Sequence, residues 1–308
     1  MIPGLGDPAT PDMTVIDKRK LQPITAAGNR EAAMAIDLST SGLKPLAISA
    51  ADDIVGGARR WELWGRLGWL EVKRRYRRTT LGPFWSSFTL LLFVIVMGSV
   101  GSGLLGRNSS DYLPFLVAGL VIWTMVSTII SESGNVFTNG AQLIRQMNFE
   151  YSVLAYALVW RNFIAFLHNM VVYFAIMAVY MPQALTWRLL LALPGLALVM
   201  VNGIWIALMV GTLTARFRDI QQIVQSVLQV AMFVTPLFWS PDSLDGSRRI
   251  IFVGLNPLYH LLEIVRDPLL GRPPNLNSYI AVAIITVAGW ALTLVVYGKF
   301  RKRIAYWL

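Results

Sequence analysis

The chain has 308 residues, 55% of them hydrophobic and 14% charged, with a formal net charge of +10 and a mean hydropathy of +0.55. Soluble domains carry roughly a quarter charged residues, so this chain has too few to coat a soluble surface, and its hydrophobicity excludes disorder over most of its length. With no Cys and 2 His, a disulfide framework and a Cys-ligated metal site are excluded, and no metal site is expected.

Residues 1–55 are rich in Ala, Pro, Asp, Ser and Thr, with no sustained period. They read as a disordered cytoplasmic tail. Residues 57–79 predict a basic interface helix. Trp61, Trp64, Val72 and Tyr76 share one stripe, with Trp69 beside it, and Arg74 and Arg77 belong to a run of eight Lys/Arg between Arg59 and Arg78. Interfacial Trp with many cations suits a helix lying along a leaflet, where anionic headgroups attract it by roughly 1 kcal/mol per cation. Gly82-Pro83 then breaks the helix and turns the chain.

Six runs follow without Asp, Glu, Lys or Arg: 79–106, 112–131, 162–187, 189–215, 220–241 and 273–298. A helix of about 20 residues crosses roughly 30 Å of hydrocarbon, and lipid demands internally satisfied backbone. The expected fold class is therefore an all-α integral membrane protein. Its six transmembrane helices fall at about 84–105, 112–132, 158–181, 188–214, 220–240 and 277–298, within a domain over 56–308. Cations concentrate before the first span and in the C-terminal Lys299, Arg301, Lys302 and Arg303, whereas the first two opposite loops hold only Arg107 and Arg188. The positive-inside rule puts both termini in the cytoplasm. The net charge is thus a topology signal, and no nucleic-acid partner is needed to explain it.

Between spans two and three, the short mixed segment 142–147 is placed either to dock a soluble partner or to serve as a plain connector. Between spans five and six, Asn256-Pro257 splits the apolar run 250–262 into two short helices. These either re-enter the outer leaflet as a gate or rest on the membrane.

Four stretches now carry a resemblance. They are Val72-Lys73-Arg74-Arg75-Tyr76-Arg77-Arg78 running into Leu81-Gly82-Pro83-Phe84-Trp85; Leu143-Ile144-Arg145 to Phe149, with Arg161-Asn162 and His168-Asn169; Ala215-Arg216-Phe217-Arg218-Asp219-Ile220 to Thr235-Pro236; and Asn256-Pro257-Leu258-Tyr259 with Leu262-Glu263 to Arg266 and Leu270-Gly271. Together they resemble the permease subunit of ABC-2-type exporters of the polysaccharide branch, which move O-antigen/lipopolysaccharide, capsule or teichoic acid. The match covers about residues 57–300. Relatives often carry Pro where this chain has Glu150 and Ala155, which leaves the exit of the first cytoplasmic loop open.

The resemblance implies a homodimeric permease in the bacterial cytoplasmic (inner) membrane, joined to a separate nucleotide-binding ATPase. Mg-ATP would bind that partner, and this chain would hold no cofactor. The sequence contains no G-x-x-x-x-G-K-[ST] phosphate loop, so the chain is expected not to be an enzyme. The resemblance assigns ATPase coupling to Gln142, Leu143, Ile144, Arg145, Met147 and Phe149, and to Arg216, Arg218 and Asp219. It assigns an outer gate to Asn256, Pro257, Tyr259, Leu262, Glu263 and Arg266. The cargo implied is an undecaprenyl-type lipid-linked polysaccharide.

Aromatic faces suit sliding sugar rings. Candidates are Phe84, Trp85, Phe88, Trp123, Phe233, Phe238 and Trp239, which equally suit interface anchoring and helix packing. His168 is the ionisable group nearest mid-span and reads as a structural hydrogen-bonding group; Arg161 reads as a headgroup or ATPase contact. Two other functions are carried alongside: an ABC-2 permease for a drug or small lipid, and an integral-membrane glycosyl- or acyltransferase. The last requires converging carboxylates, and Asp242 with Asp245 is the only close pair in a loop near a span.

Overall fold

In an apolar medium each backbone segment must satisfy its own hydrogen bonds, which favours helices. In a computed structural model, the structure describes residues 44–80, 82, 84–105 and 108–308, and among these there is no strand. The helices of six residues or more are α1 (Lys44–Arg59), α2 (Trp61–Arg75), α3 (Phe84–Leu105), α4 (Ser109–Ser133), α5 (Ala141–Gln146), α6 (Ser152–Tyr180), α7 (Ala192–Arg216), α8 (Asp219–Val234), α9 (Pro257–Leu269) and α10 (Leu276–Trp307).

Among the described residues, five segments are long and apolar enough to cross a membrane: Phe84–Gly101, Ser109–Ser133, Ser152–Tyr180, Trp187–Arg216 and Leu276–Trp307. The run expected at 220–240 behaves differently. Its helix, α8, has 16 residues, about 24 Å at 1.5 Å per residue. It stops because Pro236 disfavours helical backbone at the preceding residue, and Thr235 is extended, with φ −75° and ψ 137°.

Helix α4 is the centre of the bundle. Its candidate span is 78% buried inside the protein, against 17% to 39% for the other four. Helices α3, α6, α7, α8 and α9 all pack on it. The outward faces stay apolar: Ile284, Val287 and Leu292 of α10 are all exposed. Such a surface needs lipid or another subunit to cover it.

The expected tail boundary at residue 55 falls inside α1, while residues 1–43 lie outside the described residues. The basic helix expected over 57–79 is α2, which is set off from α1 at Arg60. The turn after α2 uses left-handed backbone at Arg78 (φ 69°) and Gly82 (φ 55°), the second at no steric cost. Helix α2 presses hard on α6. A Cβ at Gly68 would lie 2.9 Å from the Ala157 carbonyl oxygen. Trp64 turns inward against Tyr156 and Trp160, with ring centroids 6.1 and 5.8 Å away. Trp61 and Trp69 stay exposed, so the Trp stripe is split between protein and surroundings.

Asn256-Pro257 divides the later apolar run as expected. Before it come a turn of helix at Gly246–Arg249 and a π-turn at Ile250–Gly254; after it comes α9. Asn256 caps α9 by accepting the N–H of Leu258 (3.0 Å) and of Tyr259 (3.2 Å), with Pro257 in the first helical turn. From Tyr259 to Leu270 every residue is buried.

Candidate functional site

A cavity of about 450 Å³ lies among α3, α4 and α6, with Met232 of α8 at its side. Its wall is mixed. Ser86, Thr89, Thr124, Ser127, Thr128, Asn162 and Asn169 are the polar part, and Phe93, Trp123 and Phe166 the aromatic part. Thr89, Thr124 and Ser127 donate to carbonyls of their own helices, at 3.1, 2.9 and 2.7 Å. A hydroxyl that donates inward keeps acceptor capacity toward the cavity. Asn169 accepts from Ser87 at 3.1 Å. Carbohydrate asks for this combination: hydroxyls and amides for its own hydroxyls, flat rings for its faces.

The mouth of this cavity is charged. Arg75 and Asn162 line it, and both reach Glu132 at the end of α4. Glu132 accepts from Arg75, from Arg161 (2.6 Å) and from Asn162 (3.1 Å). Arg161 also pairs with Glu71 of α2. The four charges join α2, α4 and α6 into one network. Arg161 therefore engages carboxylates of its own chain and is only 13% exposed, which corrects its reading as a headgroup or ATPase contact. Two arginines would lose their shared carboxylate in Glu132→Gln. Coupled network members show interaction energies of about 0.5–3 kcal/mol, so the cycle Glu132→Gln, Arg161→Gln and the double variant should be non-additive in thermal stability in detergent. Additive losses would show that the network does not act as a unit.

His168 reads as expected. Its Nδ1 hydrogen-bonds the Ile164 carbonyl at 2.8 Å, and its ring meets Phe84 edge-on at 5.3 Å. Of the aromatic candidates, Trp123 lines the cavity. Phe84, Trp85 and Phe88 lie on the exposed side of α3. Phe238 contacts Phe233 and Phe93 at 6.1 and 6.2 Å, and Trp239 donates to the Phe233 carbonyl at 3.1 Å.

The segment expected to couple to an ATPase is α5 with its flanks. Gln142, Arg145 and Met147 are exposed, Leu143 is half-buried, and Ile144 and Phe149 are buried. Arg216, Arg218 and Asp219, between α7 and α8, are exposed. Arg216 lies over the rings of Phe217 (5.0 Å) and Trp307 (5.3 Å).

At the opposite end of α4, a second cavity of about 650 Å³ is lined by Asp111, Tyr259, Glu263, Arg266, Asp267 and Arg272 among others. Arg266 is 1% exposed. It donates to Glu263 through Nε (2.9 Å), to the Pro236 carbonyl (2.6 Å), and lies 4.5 Å over the Phe115 ring. So Glu263 and Arg266 pair, and Arg266 also ties α9 to the segment after α8. Asp267 is buried, and burial first, then the Glu263 carboxylate, pushes its carboxyl up to about 7. In the adjoining loop Asp242 pairs with Arg249 at 3.3 Å.

Sequence reasoning missed the polar lining of the first cavity, the Glu71–Arg161–Glu132–Arg75 network, and Asp267. Hydroxyl residues at helical spacing were the available signal for the first. The network members are up to 90 residues apart, so spacing carries no signal for it.

The profile of the family described as ABC-2 type transporter matches residues 62–270. A Klebsiella pneumoniae protein named O-antigen export system permease protein RfbA is 26% identical over 240 residues, covering 76% of this chain and 90% of the relative. A Myxococcus xanthus protein of that name is 24% identical over 220 residues, covering 70% and 84%. A further Klebsiella pneumoniae protein of that name is 25% identical over 243 residues, covering 76% and 90%.

Proposed function

We propose that this chain, which belongs to the ABC-2 type transporter family, is the membrane permease of an ATP-driven exporter of a lipid-linked polysaccharide of the O-antigen kind. The observation that carries the reading is the 450 Å³ cavity, where hydroxyls, amides and aromatic rings line one space among candidate membrane spans. Its chemistry agrees with the cargo in the names of the relatives. A site for a drug or simple lipid is mostly apolar with a few polar groups, whereas seven hydroxyl and amide side chains line this one.

In this reading the basic end faces the cytoplasm, in keeping with the positive-inside rule, and α2 lies along the inner leaflet of the cytoplasmic membrane. Helix α8 and the bent, non-helical segment 235–240 together complete a sixth crossing. Non-helical backbone at that depth is tolerated where protein buries it, and Thr235, Pro236 and Leu237 are buried. The turn at 246–254 and α9 form the outer gate. A second copy of the chain covers exposed apolar faces, and a nucleotide-binding subunit docks on α5 and on Arg216–Asp219.

The test uses the exposed side chains of α5, since a charge at the buried Ile144 would disturb folding instead. The double variant Arg145→Glu, Met147→Asp should insert normally, lose co-purification of the ATPase from mild detergent, and reduce surface polysaccharide about tenfold or more while lipid-linked polymer accumulates inside. Unaltered co-purification would overturn the docking face. Loss of the permease without any change in surface polysaccharide would overturn the cargo.

A further inference from the structure

Asp53 belongs to α1, in the stretch that composition assigns to a tail, yet it is 2% exposed. Its carboxylate accepts the backbone N–H groups of Tyr151 (3.1 Å) and Ser152 (3.0 Å). It also accepts the Tyr297 hydroxyl at 2.7 Å and Arg301 Nε at 2.7 Å. Its own carbonyl accepts from the Ser152 hydroxyl at 2.7 Å. Helix α6 begins at Ser152 and its own N-cap residue supplies no side-chain cap. Asp53 therefore caps α6 from a segment about a hundred residues away, supplying both acceptors and the negative charge that a helix N-terminus favours. The same carboxylate holds the last turns of α10.

These contacts bracket α5 on both sides. Upstream of α5, Phe137 stacks on Tyr297 with centroids 6.4 Å apart. Downstream, Tyr151 lies 5.4 Å under the Arg301 guanidinium. Helix α10 has 32 residues, about 48 Å at helical rise. At its far end Ser278 meets His260 of α9 at 3.1 Å.

We infer that Asp53 is a positioning residue that fastens the downstream flank of α5 to α10 and holds Tyr297, on which the upstream flank stacks, so that a displacement of α5 reaches α9 at the opposite end through one continuous helix. The inference deepens the exporter reading, because it rests on α5 as the docking segment for the ATPase. It makes α1 part of the transport machinery.

The chain has no Cys, so one introduced at the half-buried Leu258 is the permease's single labelling site, read on the permease band. The experiment uses the full permease–ATPase complex in proteoliposomes. It compares Asp53→Asn, Arg301→Gln and Arg301→Lys, each in the Leu258→Cys background, by maleimide labelling with and without ATP. A second measurement, amide hydrogen exchange at Tyr151 and Ser152, uses the permease alone. Losing one charge-assisted hydrogen bond corresponds to about tenfold or more. Asp53→Asn keeps one of the two acceptor oxygens, so exchange should rise by about that factor at the amide it releases. Asp53→Asn and Arg301→Gln should abolish the ATP-dependent change in labelling while ATP hydrolysis continues, and Arg301→Lys should largely preserve it. Unchanged exchange in Asp53→Asn, or an intact ATP-dependent change in Arg301→Gln, overturns the inference. If the unmodified permease fails to retain the ATPase, the docking reading falls instead, and exchange at Tyr151 and Ser152 still decides whether Asp53 holds the flank.

Discussion

Arg266→Met should be the most damaging single substitution in the chain. Breaking a buried ion pair from one side costs about 3–5 kcal/mol, because the remaining charge is stranded, and that is a large part of a typical total stability of about 5–15 kcal/mol. Three partners are lost together: the Glu263 carboxylate, the Pro236 carbonyl and the Phe115 ring. Arg266 is 1% exposed and Glu263 7%, so the carboxylate and the carbonyl both lose a buried donor. Thermal unfolding in detergent should show the loss, and surface polysaccharide should fall with it. The double variant Arg266→Met, Glu263→Gln should recover much of the stability, because removing both partners of a buried pair is far cheaper than removing one. A single variant as stable as the unmodified protein would show that Glu263 finds another counter-charge.

How much of this was readable beforehand depends on whether a feature is local in sequence. The charge-free runs announce membrane helices, because lipid excludes ions whatever the fold. The end of α8 is visible in Thr235-Pro236, since a proline constrains its immediate predecessor. The split at Asn256-Pro257 is visible for the same reason, and the i, i+3 spacing of Glu263 and Arg266 already allowed their pairing. Helix α1 escaped because its inward stripe is Ala50, Asp53, Ile54 and Gly57. The spacing is helical, but an Asp and a Gly at buried positions read as loop until Tyr297, Arg301 and the α6 terminus are known to meet them. Trp64 escaped because an indole suits a leaflet and a protein groove equally well. Only the close approach at Gly68 shows that α6 lies beneath it. The polar wall of the large cavity is assembled from three helices, and no single window of sequence contains it.

Asp267→Asn should remove a pH dependence that the unmodified protein displays. In the folded protein burial pushes the Asp267 carboxyl up to about 7, from an ordinary value of 3.8, and the neighbouring Glu263 carboxylate adds to the effect. The charged and titratable groups around it are Glu263, Tyr259 and Arg266 on α9, Arg272 just after it, Asp111 on α4, and Asp242 and Arg249 in the loop. Arg266 and Arg272 oppose the shift without cancelling it. Between the two values the folded state holds a proton that the unfolded chain has released, so stability falls as pH rises across that window. The favourable contribution is complete below about pH 4 and gone above about pH 7. The contribution is about 4 kcal/mol at most. The asparagine keeps the shape of the protonated acid and does not titrate. Its stability curve should therefore be flatter from pH 4 to pH 8, meeting that of the unmodified protein at the acidic end and lying above it at the alkaline end. Parallel curves across that range would show that Asp267 ionises normally. Acidity at the opposite face would then leave the packing of α9 unchanged, whereas the flatter curve makes mild acid a condition that holds α9 more firmly in place.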